Sequence, residues 1–106
     1  MAKERDMIRI GDAEYAVACN MNALMDYLQE RGTDDFAALS DLTKLKPTDM
    51  LPLIAACVRE GERLEGRQCR LSAKDIGEVA DFHVLTAFME IFGRMMTPAV
   101  SAEEKK

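Results

Sequence analysis

The sequence predicts an α+β fold, mostly helical, in which an N-terminal two-stranded β-hairpin packs on a bundle of about five helices. Three observations carry that expectation. Residues 8–32, IRIGDAEYAVACNMNALMDYLQERG, read as a tight hairpin that runs with almost no linker into a capped amphipathic helix. Downstream, apolar residues recur at helical spacing in blocks bounded by Gly, Pro and capping residues. With 106 residues, 48% hydrophobic and 31% charged, the chain has the size and composition of one folded domain and is too apolar for disorder.

The hairpin follows from its turn. Gly11-Asp12 is a two-residue turn in which Gly supplies the positive φ of a primed hairpin turn. That turn sets Ile10 opposite Ala13, Arg9 opposite Glu14 and Ile8 opposite Tyr15. Ile8, Ile10, Ala13, Tyr15 and Val17 then share one face, with Arg9 and Glu14 paired on the other. A lone hairpin is marginal in water, so its apolar face is expected on helices.

The first helix has a start, a stripe and a stop. Asn20 or Asn22 caps it through a side-chain acceptor for a first-turn N–H. Met21, Leu24, Met25 and Leu28 mark a buried face, and Arg31 and Gly32 close the C-terminal end. Thr33 caps a short acidic helix over 34–42, pinned by Phe36, Leu39 and Leu42, and 43–47 is a connector with Leu45 as its anchor.

A third helix is expected from Pro47 or Thr48 to about Glu60, with Pro52 close enough to the first turn to be tolerated. Leu51, Ile54, Ala55 and Val58 form one stripe and Met50, Leu53 and Cys57 a second. That breadth predicts a central helix contacted on two sides. Residues 61–71, GERLEGRQCRL, read as a frayed end and an exposed loop, and Arg59 to Arg70 form the only local basic cluster. Ser72 and Asp75 resemble a capping box ahead of a helix over 73–80, with Ile76, Val79 and Ala80 buried. A last helix runs from Asp81 or Phe82 to Met96, closed by Thr97-Pro98. The expected organisation is an arm over 1–6, a single domain over 7–97 and a disordered tail over 98–106.

The net charge of −5 disfavours nucleic acid or an anionic membrane as partner and favours a neutral or basic protein. Cys19, Cys57 and Cys69 are odd in number and lack a C-x-x-C, so neither a disulfide framework nor a zinc site is expected, and a reducing cytoplasm is the simplest setting. No apolar run approaches the roughly 20 residues of a membrane span, and MAKERDM lacks the apolar stretch of a signal peptide. His83 is the only histidine and falls with Ala87, Glu90 and Arg94 on a polar helix side. No phosphate-loop, dinucleotide, metalloprotease or calcium-loop spacing occurs. No catalytic, metal or cofactor residues are expected, and the chain is read as a non-enzyme.

The last helix carries an apolar surplus. Val84, Leu85, Phe88, Ile91, Phe92 and Met95 fill a core face, while Phe82, Met89 and Met96, seven apart, make a further stripe at its edge. That stripe is either the rim of the core or a patch for another helix, a role that suits the adaptable thioether of methionine. The two final helices mimic a helix-turn-helix, but FHVLTAFMEIF offers DNA no basic or amide side chains. A small DNA-binding regulator is therefore the weaker alternative, with a minor structural subunit of a phage particle as a third.

The order of elements resembles the short tail assembly chaperones of long-tailed bacteriophages and related gene transfer agents. The similarity rests on CNMNALMDYLQERG (19–32), LPLIAACVREG (51–61) and LSAKDIGEVADFHVLTAFMEIF (71–92) and covers roughly residues 7–97. It implies a non-enzymatic assembly factor of the host cytoplasm that binds and solubilises the tape-measure protein, helps recruit tail-tube protein and is absent from the mature particle; self-association is compatible with it. In many members an extended form arises by frameshifting near the end of the short frame. Lys105-Lys106 could be encoded by a slippery run of adenines, or be two plain terminal lysines.

Overall fold

In a computed structural model of the chain, residues 6–33, 35, 37 and 46–104 are described, with side chains to Arg94 except that of Pro47. The order is β1 (Asp6–Ile10), β2 (Ala13–Val17), α1 (Met21–Glu30), α2 (Pro47–Leu64), α3 (Ala73–Val79) and α4 (Phe82–Glu104). Four helices are thus present among the described residues, rather than about five. The expected helix over 34–42, with Phe36, Leu39 and Leu42, and the anchor Leu45 lie outside the described residues apart from Asp35 and Ala37.

β1 and β2 form one antiparallel ribbon in the expected register, Ile10 facing Ala13, Arg9 facing Glu14 and Ile8 facing Tyr15. Gly11 takes φ 64°, the left-handed conformation that the tight turn demands. Ile8, Ile10 and Val17 are buried, as is Ala16 on the opposite face. The strand end at Ala16 is covered by α2, so burial there does not follow simple alternation.

α1 is capped by Asn20, whose Oδ1 accepts from the Ala23 amide at 3.0 Å. At its other end the Thr33 amide donates to Leu28 O and the Gly32 amide to Gln29 O, both at 3.0 Å. These bonds satisfy the last carbonyls, with Gly32 at φ 78°. The buried face differs from the expected stripe. Leu24 and Leu28 are buried with Ala23 and Tyr27, whereas Met21 and Met25 are 58% and 49% exposed. Tyr27 offers a larger ring to the core than either methionine, and Ala23 one turn before it lets α2 approach.

α2 is the central element, packed on α1, β2 and α3. Met50, Leu53, Ile54, Ala55, Cys57 and Val58 are buried, and Leu51 is half-buried. The helix absorbs Pro52 and continues past Glu60 to Leu64. The expected loop at 61–71 therefore begins four residues later than the sequence implied, and Gly61 and Glu62 are buried helix. The reason is close approach. A Cβ on Gly61 would stand 2.3 Å from Ala16 O and 2.5 Å from Val17 N, so only hydrogen fits between helix and strand. One turn earlier, the Ala18 amide donates to Cys57 O at 3.0 Å.

α3 begins on the reciprocal Ser72–Asp75 capping box. Ile76 is buried, but Val79 is exposed rather than part of a buried side. Val79 sits at the hairpin turn, where a Cβ added to Gly11 would meet it at 3.3 Å. α4 leans on β1 through buried Val84, Phe88 and Ile91. It runs to Glu104 instead of closing at Thr97-Pro98; a proline removes one donor, and the Ala and Glu residues beyond it favour helix.

Gly61→Ala is expected to destabilise the fold by about 1–3 kcal/mol or more, because backbone rather than a flexible side chain occupies the space. Gly93→Ala, where nothing lies within 4 Å of the added methyl, should instead be neutral or stabilise by up to about 1 kcal/mol. Urea denaturation of both variants measures this, and equal stabilities would refute the close-approach assignment.

Candidate functional site: an exposed apolar face beside a buried carboxylate clasp

Two regions concentrate unusual residues. The first lies where the hairpin meets α2. Glu60 accepts from Asn20 Nδ2 at 2.8 Å and Asn22 Nδ2 at 3.5 Å, and pairs with Arg63 at 2.8 Å. Glu62 accepts from the Ala16 amide at 2.7 Å and pairs with Arg67, also at 2.7 Å. Arg63 holds the Glu60 carboxyl down at about 2, aided by the two asparagines and opposed by burial. Arg67, with the Ala16 amide, likewise lowers Glu62 against the cost of burial. The guanidinium pKa values of Arg63 and Arg67 are raised in turn.

Arg59 completes this region. It bonds Asp26 at 3.0 Å, Glu30 at 3.3 Å and the Leu71 carbonyl at 2.7 Å, tying α1 to the segment before α3. The basic cluster of the sequence is thereby largely neutralised, since Arg59, Arg63 and Arg67 all face carboxylates. Near it the Cys57 thiol, hydrogen-bonded to Cys19 and buried, is pushed far above its ordinary value, with further repulsion from Asp26 and Glu60. A thiol held protonated is a poor nucleophile. Arg31 joins buried Asp49 and lies 5.8 Å from the Tyr27 ring centroid, linking the end of α1 to the start of α2. These groups are a clasp between elements.

His83, Glu90 and Arg94 are exposed on α4; Arg94 reaches Asp6 at 3.0 Å. Among the described residues no group of His, Cys, Asp or Glu is placed to hold a metal, and no helix is long and apolar enough to cross a membrane.

The second region is the outer side of α4. Phe82 is 83% exposed and Met89 36%, so both stand outside the core. The side chain of Met96, the third residue of the expected stripe, lies outside the described residues. Of the expected core face, Val84, Phe88 and Ile91 are buried, Leu85 and Phe92 are half-buried, and the side chain of Met95, like that of Met96, lies outside the described residues. The Phe88 and Phe92 rings stack with centroids 5.8 Å apart. Asp81 starts the helix by accepting from the His83 and Val84 amides at 3.0 and 3.3 Å.

Beside Phe82, between the start of α2, α3 and α4, opens a groove of about 310 Å3 lined by Leu51, Gly77, Ala80, Asp81, Phe82 and Leu85. Sequence periodicity found the Phe82–Met89 stripe but not the groove. Its other walls come from two further elements, and the sequence signal for them is slight: a glycine in mid-helix at Gly77 and Leu51 at the N-terminal end of the α2 stripe. Comparison of the chain with protein-family models, curated proteins and solved structures finds no match.

Glu60 and Glu62 have lowered pKa values in the folded chain, so they stabilise it above their ordinary value near 4.5. The Glu60 contribution is lost as pH falls from about 4.5 toward 2 and its carboxylate protonates, and that of Glu62 is lost below its ordinary value in the same direction. The melting temperature should drop across this window, and Glu60→Gln should flatten the drop. An unchanged slope in the variant would remove Glu60 from the clasp.

Proposed function

We propose that the chain is a non-enzymatic tail assembly chaperone of a long-tailed phage or gene transfer agent, binding the tape-measure protein in the host cytoplasm. The observation that supports it best is the exposure of Phe82 and Met89 on a peripheral helix whose other side is already committed to the core. A large aromatic left in water is costly unless a partner covers it. The order of hairpin, Asn-capped helix, broad apolar helix and Ser-capped helix, on which the resemblance rests, accords with this reading. So does the acidic body, which would keep a complex with apolar helices soluble. Recruitment of tail-tube protein and release from the finished particle belong to the same proposal.

DNA binding is disfavoured by the same features. The outer stripe of α4 is apolar, and Arg59, Arg63 and Arg67 of the basic cluster are engaged by carboxylates rather than open to phosphates.

Co-expression with the tape-measure protein of the same genome tests the proposal. The wild-type chain should hold that protein in solution and co-purify with it. Phe82→Asp with Met89→Asp should melt within a few degrees of wild type yet lose the complex, while Phe88→Asp, which buries an unpaired charge, should unfold the domain. A genome with no very long tape-measure frame near this one, or an insoluble tape measure despite co-expression, would overturn the assignment.

A further inference from the structure

On α4, Phe82, Leu85, Met89 and Phe92 follow 3-4-3 spacing, the a/d repeat of a helix that pairs with another helix. At 100° per residue these four fall within an arc of about 80°, turned about 100° from the line of Val84, Phe88 and Ile91 that packs on β1. Met96 continues the spacing in sequence. α4 thus carries two apolar faces, one satisfied within the chain and one open at Phe82 and Met89.

The groove lies at the N-terminal end of this seam. Its volume of about 310 Å3 is ample for a large apolar side chain, and Leu51, Ala80 and Leu85 supply apolar walls. Gly77 keeps it open: a Cβ there would already touch Leu51 Cδ1 at 3.4 Å. Among the described residues the one charged member of the lining is Asp81. Its carboxylate caps α4; among the described residues no basic side chain lines this groove, while Arg9 and His83 stand with Asp81 around the neighbouring pocket on its other side.

We infer that this groove and seam bind an amphipathic helix of a partner protein, with one apolar side chain in the groove and a lysine or arginine beside it facing Asp81. The inference rests on the protein-binding reading above and deepens it by naming the surface and the partner's chemistry. Charge selects this occupant over a second copy. Self-pairing would bring together two chains of net charge −5, whereas a partner helix with a basic flank complements that charge and Asp81.

The test uses the full chain and two synthetic helical peptides of roughly three heptads, with leucine at a and d and either lysine or glutamate at the flanking positions. The lysine peptide should bind and shift the amide resonances of Gly77, Ala80 and Leu85. The glutamate peptide should bind a few-fold or more weakly. Phe82→Asp should reduce affinity for the lysine peptide about tenfold or more, as expected for an interface anchor. Asp81→Asn keeps a capping acceptor and should keep the melting temperature, while narrowing the preference for lysine over glutamate. No binding of either peptide, equal affinities, or shifts confined to other surfaces would overturn the inference. So would a concentration-dependent dimer that Phe82→Asp abolishes, since a second copy would then be the occupant. Groove binding without co-purification of a tape-measure protein would sink the chaperone reading and leave the groove standing. Co-purification undiminished by Phe82→Asp would do the reverse.

Discussion

The contact between the end of β2 and the third and fourth turns of α2 is the constraint on which the other elements depend. A strand and a helix ordinarily keep the distance their side chains impose. Here the Ala16–Val17 backbone lies against Gly61, where a methyl would stand 2.3 Å from a carbonyl oxygen. Such an approach takes strand polar groups out of water, and buried amides need acceptors. The Cys57 carbonyl takes the Ala18 amide and the Glu62 carboxylate takes that of Ala16. A buried carboxylate must in turn be compensated, and Arg67 compensates it from the helix end. Gly61, Glu62 and Arg67 therefore act together, and each loses its reason without the others.

Glu60 extends the same logic to α1. Its carboxylate gathers Asn20 and Asn22, while Asn20 Oδ1 caps the helix that Asn20 begins. One side chain thus sets where α1 starts and fixes that start to α2. At the far end, Arg31 and Asp49 join the C-terminus of α1 to the N-terminus of α2, a pairing that also suits the two helix dipoles. Arg59 adds a middle tie through Asp26 and Glu30. The ion pairs lie at the ends and flank of one helix pair, around an apolar interface of Ala23, Leu24, Tyr27 and Leu28.

Local chemistry was legible in the sequence; close approach was not. The Gly11-Asp12 turn determines the hairpin register because a two-residue loop leaves one pairing, and Asn20 and Ser72 declare helix starts through bonds within three residues. The rotation of α1 is a different kind of fact. Met21 and Met25 fit the spacing as well as Ala23 and Tyr27, and the neighbouring helix decides between them. Gly61 misleads for a related reason: in isolation it reads as a helix stop, and its meaning depends on Ala16, which lies 45 residues earlier. The usable signals were Cys57 and Gly61 one turn apart as a small-residue pair, and Glu60 and Arg63 at i, i+3, an opposite-charge pair at helix spacing. Phe82 and Met89 were legible as a stripe, but whether a stripe is core rim or open surface is settled only by what packs on it.

The clasp also governs the apolar groove, although no clasp residue lines it. Two routes lead outward from α2. One passes through β2 and β1 to α4, which leans on β1 through Val84, Phe88 and Ile91; the other passes directly to α3, which packs on α2 through Ile76. The hairpin turn touches the end of α3, with Gly11 against Val79, so the two routes close on each other beside Phe82. The hairpin thus touches both elements that flank the groove, and its own distance from α2 is held by Gly61. A methyl there would force helix and strand to shift apart, and β2 is paired with β1, on which α4 packs. Stability and the placement of α4 are thereby linked through that single glycine.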